Sequence, residues 1–290
     1  MSRVVQRRRV VKLGLEGGPR RREDVLAAEE PLEVRLGGKP FSVTMRTPGD
    51  DFDLVAGFLV SEGVVWEPGQ LASLRFCAGE DGQGRQTYNV IDVQLAAGVV
   101  LPETSLERHV YTSSSCGICG TASIEAVTKG SRFGPAGPAG PVLGLGVLLS
   151  LPERLRAGQQ LFERTGGVHA AGLFGFDGGL LCLREDVGRH NAVDKVIGWA
   201  LREGRLPLRE TVLQVSGRAS FELVQKAYLA GIPVLSAVSA PSSLAVELAG
   251  QTGLTLAGFS RGRSINIYAH PERIAEAAQE TAGEAEAAPA

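Results

Sequence analysis

Apolar and charged residues alternate over Leu32-Glu33-Val34-Arg35-Leu36; Gly37-Gly38 interrupts, and the alternation resumes over Phe41-Ser42-Val43-Thr44-Met45. A period of two on both sides of a glycine pair predicts a β-hairpin. Thr47-Pro48-Gly49-Asp50-Asp51 then offers acidic caps to Phe52, Leu54, Val55, Phe58, Leu59 and Val60, which follow at helical spacing. Leu71–Ala78 and Tyr88–Leu95 read as two more strands. From Leu151 the pattern changes. Helices are predicted over Pro152–Thr165, with Leu155, Leu161 and Phe162 toward the core, and over Asn191–Glu203, Phe221–Ala230 and Ser242–Gln251. Strands are predicted over His169–Phe176, Leu180–Arg184, Thr211–Ser216, Val234–Val238, Thr255–Phe259 and Ser264–Ala269. Strands alternating with helices predict an α/β fold whose central sheet is largely parallel, with helices on both faces.

Five segments follow from these patterns. Residues 1–22 read as a flexible basic arm and 23–110 as a small β-rich domain. Residues 111–149 hold a mobile loop, a short helical piece at Thr121–Val127 and a Gly/Pro/Ala linker. Residues 150–275 form the α/β domain, and 276–290 a disordered Ala/Glu tail.

The hydrophobic fraction of 43% in 290 residues supplies ample core. A net charge of −2 gives no broad attraction to nucleic acid or anionic membrane. No apolar run is long enough to cross a bilayer. The stretch after Arg7-Arg8-Arg9 is broken by Lys12 and Glu16, so it reads as a solvated arm rather than an export signal. Four cysteines in a chain of this length do not make a disulfide scaffold, which fits a reducing cytoplasm.

The chemistry concentrates at Cys116-Gly117-Ile118-Cys119, set among small polar residues and glycines. Such a pair can act as a redox dithiol, ligate metal or carry sulfur, because a neighbouring thiol lowers thiol pKa values. A structural zinc site needs four ligands. Only one CxxC is present, Cys77 and Cys182 are isolated, and His109 would have to contribute. A sulfur carrier needs one exposed thiolate and a second thiol that assists or resolves. Inert, structural cysteines are the plainer alternative.

Three polar segments read as site walls. Arg184-Glu185-Asp186-Val187-Gly188-Arg189-His190-Asn191 leads from a strand into a helix, where backbone N–H groups favour an anion; a solvated, capped turn is the alternative. Ser216-Gly217-Arg218-Ala219-Ser220 repeats that arrangement, with Arg218 able to pair with phosphate. In Phe259-Ser260-Arg261-Gly262-Arg263-Ser264 two arginines flank a glycine, which suits a diphosphate. No Walker A or GxGxxG sequence accompanies them. His169 reads as a general acid or ligand, or as a satisfied histidine at a strand start.

These residues resemble the FdhD/NarQ family of formate dehydrogenase accessory sulfurtransferases. The matching stretches include Thr44–Asp51, Gly57–Gly63, Ser113–Gly120, Thr165–Gly172, Arg184–Lys195 and Ser216–Ser220, within residues 24–272. The resemblance implies a roll-like small domain beside a cytidine deaminase-like three-layer α/β/α domain. It implies a sulfurtransferase that takes persulfide sulfur from a cysteine desulfurase on Cys116, with Cys119 assisting. The acceptor is the molybdenum cofactor, as bis-molybdopterin guanine dinucleotide, needed for formate dehydrogenase activity. The family's cofactor loop maps onto Phe259, Ser260, Arg261, Gly262, Arg263 and Ser264; Gly217, Arg218 and His190 are expected to help bind. A cytoplasmic homodimer without nucleic-acid or membrane partners is implied. A zinc deaminase would need H-x-E and P-C-x-x-C. Here the helix carries His190-Asn191-Ala192-Val193-Asp194 and no cysteine follows Cys182, so only the scaffold is shared. A non-catalytic cofactor chaperone and a zinc-stabilised interaction module are the alternatives.

Overall fold

The computed structural model describes residues 4–77, 79, 87–101, 130–134 and 142–275. Four strands, β1 (Val5–Lys12), β2 (Arg20–Ala27), β3 (Glu30–Leu36) and β4 (Lys39–Arg46), precede helix α1 (Asp51–Ser61) and strands β5 (Leu71–Phe76) and β6 (Val90–Leu95). Helices α2 (Leu145–Gly158) and α3 (Gln160–Thr165) lead to β7 (His169–Gly175) and β8 (Leu180–Asp186). Then come α4 (Arg189–Arg202), β9 (Thr211–Val215), α5 (Phe221–Leu229), β10 (Val234–Ala237), α6 (Ser243–Thr252), β11 (Thr255–Arg261) and β12 (Ser264–Ala269). The class is mixed α/β, as the alternating patterns predict.

The larger sheet has the order β12-β11-β10-β9-β7-β8. Only β9–β10 and β10–β11 pair in parallel; β7–β8, β7–β9 and β11–β12 are antiparallel, so the sheet is mixed rather than largely parallel. The cause is connection length. β7–β8 and β11–β12 are joined by short turns, and a parallel pair needs a crossover of a dozen residues or more. Leu148, Leu151 and Leu155 of α2 share one core with Ala170, Phe174, Val212, Val234 and Ala257. On the opposite face α4, α5 and α6 contribute Val193, Ile197, Val224 and Leu248 to a second core.

That second core also contains Leu32 and Val34 of β3, Ile91 and Val93 of β6, and Leu54 and Leu59 of α1. The smaller sheet, β4-β3-β6-β5, is therefore cemented to the larger unit through α1, with no separate core of its own among the described residues. The seam is the α1–α4 crossing. A Cβ on Gly57 would lie 1.8 Å from the Asp194 carbonyl oxygen, and one on Gly198 1.8 Å from that of Asp53. Both helices present glycine where their backbones touch. Gly57→Ala is expected to push them apart and to cost roughly 3 kcal/mol, seen as a lower urea midpoint with an unchanged slope.

Three local expectations are corrected. The arm expected to be flexible over residues 1–22 instead supplies β1 and the first three residues of β2, which pair antiparallel from Val5↔Ala27 to Lys12↔Arg20. The helix expected to start at Pro152 starts at Leu145 and keeps that proline inside it. It ends at Gly158, and α3 follows as a separate short helix whose Leu161 and Phe162 are only half-buried. The break has a cause: Glu185 accepts from the backbone N–H groups of Leu161 (2.7 Å) and Phe162 (2.8 Å), capping a new helix. The acids expected to cap α1 form ion pairs instead: Asp50, at the N-cap position, makes no side-chain cap bond and meets Arg184 Nε at 3.4 Å, and Asp51 takes both Arg46 Nε (3.0 Å) and Nη2 (3.1 Å). Within the first turn Asp53 receives Arg184 Nη2 (2.8 Å) and Arg202. The Thr121–Val127 helix and all but Gly134 of the Gly/Pro/Ala run 134–141 lie outside the described residues.

Candidate functional site

Strand direction decides which loops meet. The carboxyl ends of β9, β10 and β11 share one edge of the sheet, with the starts of β7 and β12 and the end of β8. In open α/β sheets ligands bind outside such an edge. The loop 216–220 follows β9, 238–241 follows β10, and Phe259–Ser264 turns β11 into β12. Backbone hydrogen bonds lace these loops: Val238 to Val215 (3.2 Å), Ser242 to Ala219 (3.0 Å) and Phe259 to Ser239 (3.3 Å). The edge thus brings together Gly217, Arg218, His190 and the Phe259–Ser264 turn, the residues expected to bind.

The Arg184–Asn191 segment divides between scaffold and site. Asp186 is fully buried and accepts from Thr47 N (3.1 Å), Gly188 N (2.8 Å) and Asn191 Nδ2 (3.0 Å). It also pairs with the buried ammonium of Lys195 at 2.8 Å. This lock fixes the start of α4. Arg184 and Glu185 likewise turn inward, to Asp53 and α3. Arg189 and His190 are left at the edge. His190 Nε2 lies 3.3 Å from both Ser220 Oγ and Glu222 Oε2. The hydrogen bond from His190 pushes the Glu222 carboxyl down to about 2. Unfolded, the same group titrates near 4.5, so its contribution to stability is complete above that pH and is lost as pH falls toward 2. Glu222→Gln is expected to flatten the acid side of the stability profile between about 4.5 and 2 in pH-resolved thermal melts.

His169 begins β7 opposite Asp186 and stands against the next loop, where a Cβ on Gly217 would be 3.5 Å from its Nδ1. Burial, then the charges of Arg189 and His190, hold its pKa below the ordinary value and favour the neutral ring. In the last turn Gly262 has φ 55°, which lets Arg261 and Arg263 flank a tight reversal. Arg218, Arg261 and Arg263 are exposed, and none has a side-chain partner among the described residues. Three buried polar atoms beside them are also unpartnered: Arg189 Nε, Glu222 Oε1 and Ser260 Oγ. Buried polar atoms of this kind ordinarily find partners. Free guanidiniums, an unpaired Nε–H and the N-terminus of α4 suit an anionic, diphosphate-bearing ligand with hydrogen-bonding groups of its own.

Cys116 and Cys119 lie outside the described residues, as does His109. Cys182 is buried, and that burial pushes its thiol up to about 12, so it is inert. Among the described residues no three His, Cys, Asp or Glu side chains gather as a metal site, and no helix is long and apolar enough to cross a membrane. His270 is held by Glu272 (2.8 Å) and the Gly250 carbonyl (3.0 Å), a structural role. Glu222 was not singled out in the sequence, and Arg189 only as one member of the Arg184–Asn191 segment. The available signal for Glu222 was its place as the only acid in the first turn of the helix after Ser216–Ser220.

This is a mixed α/β protein with an arginine-lined sheet edge. The chain belongs to the FdhD/NarQ family, whose model matches residues 27–275. It is 60% identical over 275 residues to the sulfur carrier protein FdhD of Streptomyces avermitilis, covering 95% of this chain and 97% of that one. The protein of the same name from Nocardia farcinica is 57% identical over 273 residues, with 94% and 96% covered. The crystal structure of a formate dehydrogenase accessory protein from Desulfotalea psychrophila superposes with a TM-score of 0.70 at 27% identity, covering 94% of this chain and all of that one.

Proposed function

We propose that this protein is a sulfurtransferase that carries persulfide sulfur on Cys116 to the molybdenum cofactor, in support of a formate dehydrogenase. The relatives' name, sulfur carrier protein, and the accessory role of the structural neighbour support this reading. The observation that carries the acceptor is the sheet edge: three unpartnered guanidiniums beside buried orphaned polar atoms. The acceptor, bis-molybdopterin guanine dinucleotide, carries diphosphates that Arg261, Arg263 and Arg218 neutralise. Arg189 Nε and Ser260 Oγ meet its hydrogen-bonding groups, and His190, fixed by Glu222, closes one side.

The sulfur steps balance. The Cys116 thiolate attacks the outer sulfur of a cysteine desulfurase persulfide; a new S–S bond forms on Cys116, and the donor leaves as its thiolate. The Cys119 thiolate then attacks the Cys116 sulfur. It forms the Cys116–Cys119 disulfide and expels the outer sulfur as sulfide, which the metal of the acceptor receives. A two-electron thiol reductant restores the pair, which places the cycle in a reducing cytoplasm.

Calorimetric titration with guanosine diphosphate tests the acceptor site. The wild type is expected to bind, and Arg261→Glu/Arg263→Glu to bind at least about a hundredfold more weakly, since each charged hydrogen bond contributes about 1.5–3 kcal/mol. Equal affinities would remove the diphosphate from this edge.

A further inference from the structure

The β1–β2 ribbon stands out from the body with an uncompensated charge. Residues 4–27 hold seven cations, Arg7, Arg8, Arg9, Lys12, Arg20, Arg21 and Arg22, against three acids, Glu16, Glu23 and Asp24, a net of +4 in a chain whose total is −2. One ion pair ties the strands, Arg7–Glu23 at 2.9 Å, and a second, Arg22–Asp24 at 3.2 Å, lies along β2 itself. Toward the tip, Lys12, Arg20 and Arg21 have no ion-pair partner among the described residues. Lys12 and Arg20 face each other directly in the register, and like charges so placed destabilise a ladder. A two-stranded ribbon is marginal in water even without that repulsion. Between these cations the tip presents Leu13, 72% exposed, and Leu15, fully exposed, beside Val11.

An apolar centre with a charged rim is the composition of a protein interface. A nucleic acid would draw on the cations and leave the leucines idle. The base of the ribbon adds the location. Ala27 abuts Gly167, where an added Cβ would be 3.8 Å from the alanine methyl, and two residues later His169 enters the sheet edge described above. The ribbon thus rises from the flank of the proposed acceptor site.

We infer that the β1–β2 ribbon is the docking arm for the protein that takes the sulfurated cofactor from this edge, an apo-dehydrogenase with a carboxylate-rimmed apolar cleft. The inference rests on the function proposed above. It makes the basic strands an electrostatic guide and Leu13 and Leu15 the anchor.

The test is biolayer interferometry of the full chain against formate dehydrogenase from the same organism, prepared without molybdenum cofactor. Lys12→Glu/Arg20→Glu/Arg21→Glu is expected to weaken binding about tenfold or more and to abolish its salt dependence. Leu13→Ser/Leu15→Ser is expected to weaken it while leaving the salt dependence intact. Melting temperatures and sulfur loading of Cys116 by a desulfurase should match the wild type in both. Unchanged affinity in both variants, or no binding by the wild type, would overturn the inference. So would finding that the charge reversal acts on self-association in sedimentation, or on binding to a short DNA duplex. Failure of Cys116 to load sulfur would instead strike the proposed function, a separate readout.

Discussion

Lys195→Met is expected to cost about 3–5 kcal/mol, the range for removing one partner of a buried ion pair. The ammonium is 1% exposed and donates to the Thr47 carbonyl at 2.9 Å as well as meeting Asp186 at 2.8 Å. Without it the Asp186 carboxylate stays buried with neutral donors alone. For a chain of this size the melting temperature falls by roughly 10 °C, read by calorimetry. Removing both charges should not restore the loss. In Lys195→Met/Asp186→Leu the N–H groups of Thr47 and Gly188, which now donate to Asp186, have no acceptor. The damage also reaches the site, because the same carboxylate fixes the turn that presents Arg189 and His190. Guanosine diphosphate affinity should therefore fall together with stability. A variant that melts like the wild type would show that Lys195 is not what balances Asp186.

The second large effect lies in the thiol pair. Cys116→Ala removes the carrying thiolate and leaves Cys119 with no partner for the disulfide step, so formate dehydrogenase maturation in cells lacking the wild-type protein should fall to background. Cys119→Ser should separate loading from release. Its Cys116 persulfide forms, but with no Cys119 thiolate to expel the outer sulfur as sulfide, the one loaded equivalent is not transferred unless an external thiol is added. Many turnovers without added thiol would contradict the disulfide step.

The elements with a clear period were legible in the sequence. The hairpin of β3 and β4, helix α1, and helices α4 to α6 fall within a residue or two of their predicted spans. What escaped was set by tertiary context. The β1–β2 ribbon has no buried face, so no alternation marked it, and Arg7-Arg8-Arg9 read as a solvated arm. Pro152 suited a first helical turn, yet Leu148 and Leu151 draw the helix back to Leu145 against the sheet. Antiparallel insertion of β7 beside β9 depends on pairings that sequence spacing does not encode. At the site, the loops after β9 and β11 were recognisable from glycine beside arginine. The inward turn of Arg184, Glu185 and Asp186 was not, because a carboxylate that caps a helix or balances a lysine looks on paper like one that meets a ligand.

The central claim, that Cys116 carries sulfur, is met most directly by peptide mass spectrometry after anaerobic incubation with a cysteine desulfurase and cysteine. The expected result is one reductant-labile sulfur gained on the Cys116 peptide and none in Cys116→Ala. An unmodified Cys116 peptide beside a demonstrably active desulfurase would contradict it.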